Sequence, residues 1–206
     1  MSVDKKDHII NAAMELFAEK GFEGTSIRDI AAKADVNLAM VNYYFGSKEK
    51  LFEAMVEQKA TFMRGQLEAL ESDKELTELE KVDRIIEAYV DRFLSNPGFH
   101  KVIQQEMLKS QREEMHQKAI NIFIKNTQNF NSIIEKGIKK KVFKKVDPPL
   151  VFASIIGTIN QVLVSKKVCN VFAGKDPCYD PYTDEHFKKR LLTHIKQMIH
   201  SHLLNQ

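Results

Sequence analysis

Residues 21–55 read GFEGTSIRDIAAKADVNLAMVNYYFGSKEKLFEAM, and the order of stop and start signals in this stretch decides the fold. Gly21 follows a helical stripe of Ile9, Ile10, Ala13 and Phe17. It stands where a helix ends in a left-handed residue, a conformation glycine enters without a Cβ penalty. Ser26 with Asp29 three residues later forms a capping box with a shortened acid. The short helix it opens carries Ile27, Ile30 and Ala31, and breaks at Ala34-Asp35-Val36. Asn37 then caps a second short helix, with Val36 and Val41 at the two ends of a hydrophobic staple. Gly46-Ser47 closes that helix, and Ser47 caps a much longer one bearing Leu51, Phe52, Met55, Val56, Phe62 and Met63.

Two short helices across a tight turn make a helix-turn-helix. Ala31 supplies a small side chain at the crossing, and Val41 points back into the unit. Asp35 occupies the turn position expected to be left-handed; glycine is easiest there, but aspartate tolerates it.

Outward from this stretch the periodicity stays helical. Leu79, Val82, Ile86, Tyr89 and Phe93 form one stripe, stopped by Asn96-Pro97-Gly98. Phe99, Val102, Ile103 and Met107 form another, and Met115, Phe123, Phe130, Ile134 and Ile138 a third that ends in lysines. A helix apolar nearly all round is predicted from Pro149 to Phe172, and a last one from His186 to Leu204. The expectation is an all-α fold of about nine helices. No segment alternates with the strand period, and 8 Gly and 5 Pro in 206 residues are too few for a many-turned sandwich.

With 43% hydrophobic and 29% charged residues the chain can close a core, and a net charge of +3 favours neither nucleic acid nor membrane. Two cysteines, Cys169 and Cys178, do not make a disulfide framework. The charged first thirty residues lack a signal-peptide core, so a cytoplasmic protein is expected. Pro148 to Ser165 is uncharged over 18 residues but contains two prolines and several polar groups, and is expected as a buried helix rather than a membrane span.

The string from Gly21 to Met55 resembles the amino-terminal DNA-binding domain of the TetR/AcrR family. Phe17, Thr25-Ser26, Asp29-Ile30-Ala31, Tyr43-Tyr44-Phe45 and Ser47-Lys48-Glu49 carry the resemblance. Beyond residue 55 it is looser, resting on helix count and on Gly137, Val142-Phe143 and Val146-Asp147-Pro148. Asp35 departs from the family's usual glycine, and Asn42 from its frequent aromatic. The resemblance implies a helix-turn-helix domain over 1–50 and an effector-binding and dimerisation domain over 51–206. It implies that the helix from Asn37 to Tyr44 enters the major groove of a double-stranded DNA operator. The matching DNA-facing positions are Thr25, Ser26, Arg28, Asn37, Leu38, Ala39, Met40, Asn42, Tyr43, Tyr44 and Lys48.

Physical chemistry supports part of this set. Arg28 suits guanine and Asn42 adenine by paired hydrogen bonds, or either serves a phosphate. The two adjacent tyrosines cannot both face one core, and an outward Tyr43 offers a hydroxyl to phosphate. Lys48 opposes the dipole of the helix it begins, a conflict that a bridging phosphate would remove. The electrostatic footprint is weak: residues 1–50 hold seven Lys/Arg against eight Asp/Glu.

The apolar helix over 149–172 needs more than one covered face, which points to a homodimer formed with the helix over 186–204. Phe62, Tyr89, Phe93, Met107, Phe123, Phe130 and Asn160 are candidate walls of a cavity for a small apolar effector. Six lysines between Lys136 and Lys145 suit a solvated helix terminus, or an extra nucleic-acid or membrane contact. No cofactor or metal is expected, because the tail histidines lack a ligand spacing. No catalytic set appears, so a dimeric, ligand-responsive repressor is favoured over a helical-bundle enzyme, a protein-binding adaptor or a ligand-sensing activator.

Overall fold

The computed structural model describes residues 5–107, 113–176 and 178–205. Among them are ten helices and no strand: α1 (Lys5–Lys20), α2 (Ile27–Lys33), α3 (Leu38–Phe45), α4 (Lys48–Ser72), α5 (Glu78–Ser95), α6 (Pro97–Met107), α7 (Glu113–Lys139), α8 (Pro148–Leu163), α9 (Lys166–Ala173) and α10 (Glu185–Leu203). They form two compact units, Met1–Phe62 with Gly98–Phe123, and Met63–Pro97 with Ile124–Gln206.

The first unit is built on aromatic packing. Phe17, Phe22 and Phe52 are each at most 2% exposed, with centroids 5.2 to 5.8 Å apart. Ile9, Ile10, Ile30, Val41, Leu51 and Met55 surround them, and Phe99 and Val102 of α6 join the same cluster. Gly98 starts α6 close to α1: a Cβ there would lie 2.6 Å from that of Ala18. Where the sequence suggested a boundary at residue 50, α4 runs on without a break and the first unit extends to Phe62.

In the second unit α5, α8 and α10 pack around Val82, Ile86, Val90, Phe152, Ile155, Ile195 and Ile199, with Phe130, Ile133 and Ile134 from α7. Thr77 and Glu80 form a capping box that starts α5. A ladder of polar contacts runs along α5 and α10: ion pairs of Asp91 with Lys188 at 2.9 Å and Glu87 with Lys196 at 2.7 Å, and a hydrogen bond between Asp83 and the His200 ring at 2.7 Å. The lysine run at the end of α7 is partly neutralised, with Lys136 on Glu71 and Lys140 on Glu78. Lys144 donates its backbone N–H to Leu203 O at 2.7 Å and its ammonium to Ser201 O at 3.0 Å, satisfying carbonyls at the end of α10.

One expectation is corrected. The single helix over 149–172 is two, α8 and α9, bent by 99° at the break. Ser165 takes an extended conformation and its hydroxyl accepts from Val168 N at 3.2 Å, so it caps a new helix. The apolar run hid this start signal. Arg190 of α10 then donates to the carbonyls of Phe172 and Ala173, which end α9.

Candidate nucleic-acid interface

The turn between α2 and α3 has the geometry expected of it. Asp35 sits at φ 49°, and Val36 N donates to Ala31 O at 3.0 Å. Ser26 caps α2: its hydroxyl accepts from Asp29 N at 3.1 Å, and Asp29 Oδ2 accepts from Ser26 N at 2.9 Å. The hydrogen bonds from Ser26 hold the Asp29 carboxyl below its ordinary pKa. Asn37 caps α3, its Oδ1 accepting from Met40 N at 2.7 Å.

These caps fix which side of α3 faces inward. Val41 and Phe45 are buried, and Met40 packs partly against the same cluster. Leu38, Ala39, Asn42 and Tyr43, at helical spacing on the opposite side, are exposed. Tyr43 is 85% exposed and forms a T-shaped pair with the Tyr44 ring at 5.4 Å. An apolar leucine, an amide and a phenol presented together to solvent from a rigidly capped helix suit a groove of mixed polarity. Arg28 and Ser26 are exposed at the start of α2.

Two predicted contacts are placed elsewhere. Thr25 is 1% exposed, and its hydroxyl donates to Gly21 O at 2.8 Å and Leu16 O at 3.2 Å. That side chain closes the turn after α1 and is not offered to DNA. Lys48 resolves its conflict with the helix dipole internally, by donating to Phe22 O at 2.9 Å and Thr25 O at 3.0 Å. Its ammonium also lies 4.5 Å from the Phe22 ring centroid. Lys33, the third cation of this stretch, pairs with Glu15 of α1 at 2.8 Å, and that bond raises its pKa. Arg28 and Lys33 are both exposed between Thr25 and Lys48, and of the two it is Lys33 that is held by an acid of α1.

The first 55 residues match the description "Bacterial regulatory proteins, tetR family" over 9–55, and a second match, "Tetracyclin repressor-like, C-terminal domain", covers 75–164. The chain belongs to the tetR family. Among curated relatives of this tetR-family chain, the HTH-type transcriptional repressor NicS of Pseudomonas putida is 36% identical over 105 residues, 50% of this chain and 48% of NicS. The alignments span a quarter to a half of the length of the curated relatives matched. Among solved structures, the regulator FadR of Bacillus subtilis, in complex with stearoyl-CoA, superposes with a TM-score of 0.75 at 23% identity, covering 94% of this chain and 96% of its own. PfmR of Thermus thermophilus gives 0.69 at 23% identity, covering 93% and 96%. Both share the fold.

Of the candidate effector residues, none of those described lines the open groove on α8, α9 and α10. Tyr89, Phe93 and Phe130 are core residues of the second unit, Tyr89 and Phe130 each within 5.4 Å of the Phe152 ring centroid. Inward helical positions gave them their aromatic character, and the same positions pack them tightly. Asn160 is half-buried on α8, and Phe62 is 67% exposed. The side chains of Met107 and Phe123 lie outside the described residues. An open groove of about 650 Å³ does occur on the outer face of α8, α9 and α10, lined by Gly157, Gln161, Phe172, Phe187, Arg190 and His194 among others. No sequence signal marked it, because its walls come from three separate segments.

Proposed function

We propose that this chain is a homodimeric transcriptional repressor that inserts α3 into the major groove of a palindromic operator and loses or gains DNA affinity with a small, largely apolar ligand bound by its second unit. The observation that carries the DNA reading is the exposed row Leu38, Ala39, Asn42 and Tyr43 on a helix whose other side is anchored by Val41 and Phe45. Base contact falls to Asn42 and Arg28, apolar and phosphate contact to Leu38, Ala39 and Tyr43, with Ser26, Asn37, Met40 and Tyr44 flanking.

Dimerisation is supported by the outward face of α8. Leu150 is 64% and Val164 43% exposed, and Ala153, Ser154, Gly157 and Gln161 lie exposed between them. No charge interrupts this face, and the Ser154 and Thr158 hydroxyls donate back to Leu150 O and Ser154 O of their own helix. Such a surface has few donors left for water and suits helix against helix about a two-fold axis. Two copies would place their α3 helices one DNA turn apart, ~34–36 Å, or a small multiple of it.

The ligand class follows the family and the Phe, Tyr and Met content of the second unit, and the stearoyl-CoA held by FadR makes acyl thioesters the first compounds to try. The experiment is in vitro selection from a random duplex library with the purified protein, followed by titration of the enriched site with fatty acids and acyl-CoA thioesters. Enrichment of an inverted repeat supports the reading, and selection that returns no repeat refutes it.

A further inference from the structure

We propose that Lys48 is a positioning residue for operator recognition, an internal clasp rather than a phosphate ligand; this rests on the DNA-binding reading above. Lys48 begins α4, three residues after α3 ends, and its ammonium reaches back 26 and 23 residues to the carbonyls of Phe22 and Thr25. Thr25 is the residue immediately before the Ser26 cap of α2. One side chain therefore ties the exit of α3 to the entrance of α2, closing the open end of the helix-turn-helix. The same turn is pinned on its other side by the Thr25 hydroxyl on Leu16 O and Gly21 O.

An ammonium has three donors. Two are used on carbonyls at 2.9 and 3.0 Å, and the charge rests over the Phe22 ring. A phosphate is left only the third donor unless one of these charge-assisted bonds in a half-buried site is given up. The clasp also answers why a cation stands at an amino-terminal helix position that disfavours it. Reading base edges needs α3 held within about 10–20° of its productive orientation, whereas backbone attraction tolerates a looser fit. The clasp should therefore act on the ratio of specific to non-specific binding.

Two measurements on the full-length protein test this. The first is reductive methylation of the free protein with formaldehyde, followed by peptide mass spectrometry. Lys48 should react at least about tenfold more slowly than the neighbouring exposed Lys50, as expected for an amine held by two charge-assisted bonds. Equal rates would overturn the clasp, and this arm needs no operator. The second is Lys48→Met, titrated against the selected site and a random duplex at several salt concentrations. Operator affinity should fall about tenfold or more while random-duplex affinity and salt slope hold. An equal loss on both duplexes, with the slope reduced by about 0.9 per lost phosphate contact, would make Lys48 a phosphate ligand after all. Unchanged discrimination would equally overturn the proposal. If Lys48→Met gives no cooperative melt, the methylation rates of the unaltered protein decide. If selection returns no site, the DNA reading falls while methylation still judges the clasp.

Discussion

Gly137→Ala should destabilise the protein, although glycine-to-alanine changes inside a helix ordinarily stabilise by about 1 kcal/mol. Gly137 is buried near the end of α7, and a Cβ built there would lie 2.1 Å from Phe143 Cδ2 and 2.3 Å from Cε2. Ordinary carbon contacts are about 3.5–4.0 Å, so the ring would have to retreat by well over an ångström. It has little freedom to do so. Phe143 is 3% exposed, Val142 N and Phe143 N both donate to Gly137 O, and Lys144 N is tied to Leu203 O. Forcing the ring aside within the core costs ~1–3 kcal/mol, and expelling it costs ~3–5 kcal/mol. Set against the propensity gain of about 1 kcal/mol, the net loss is up to about 2 kcal/mol if the ring shifts within the core and about 2–4 kcal/mol if it is expelled. Urea denaturation at neutral pH measures it, in a cycle with Phe143→Ala. In the Phe143→Ala background the added methyl should be neutral or stabilising by up to about 1 kcal/mol, giving a strong positive coupling. A Gly137→Ala protein more stable in both backgrounds would refute the packing argument.

Asn42→Ala should relax preference at one base pair per half-site by ~1–3 kcal/mol without altering the salt slope, as repeat selection with the variant would reveal. Gly157→Arg places a charge on the open outer face of α8, where a Cβ meets nothing within 4 Å; light scattering at micromolar concentration should return a folded monomer, and a persistent dimer would move the interface elsewhere. Asp35→Val should lose ~1–2 kcal/mol because a side chain at φ 49° crowds the backbone, while Asp35→Gly should be neutral or slightly stabilising in thermal melts. The Ser132 hydroxyl, with Lys136, lowers the pKa of Glu71, and Lys140 lowers that of Glu78. Since both carboxyls are more acidic folded than unfolded, their stabilisation is complete above about pH 4.5 and is lost as pH falls through the lowered values. Glu71→Gln together with Glu78→Gln should flatten the acid limb of stability against pH.

The helix-turn-helix was legible residue by residue because its signals are local. Ser26 with Asp29, Asn37, Ser47, and the left-handed positions at Gly21 and Asp35 each act within four residues, and the structure places every one as a cap or turn. The outward side of α3 followed from the inward positions of Val41 and Phe45, by helical period alone. Ser165 shows the limit of that method: a largely apolar run looked like one helix, and a single serine splits it. The Thr77-x-x-Glu80 box had the same kind of local signature and was readable in principle.

What only the tertiary structure decided are the partners of groups far apart in sequence. Lys48 finds carbonyls 26 and 23 residues away, Lys140 pairs with Glu78, and Lys33 pairs with Glu15 of α1 at the surface. Tyr89, Phe93 and Phe130 carry the same apolar spacing whether they wall a cavity or fill a core; all three lie in the buried cluster, with Tyr89 and Phe130 packed on Phe152. Periodicity reports only that a side chain faces inward. Which atoms meet it there depends on how separate helices are docked, and that is a property of the whole fold.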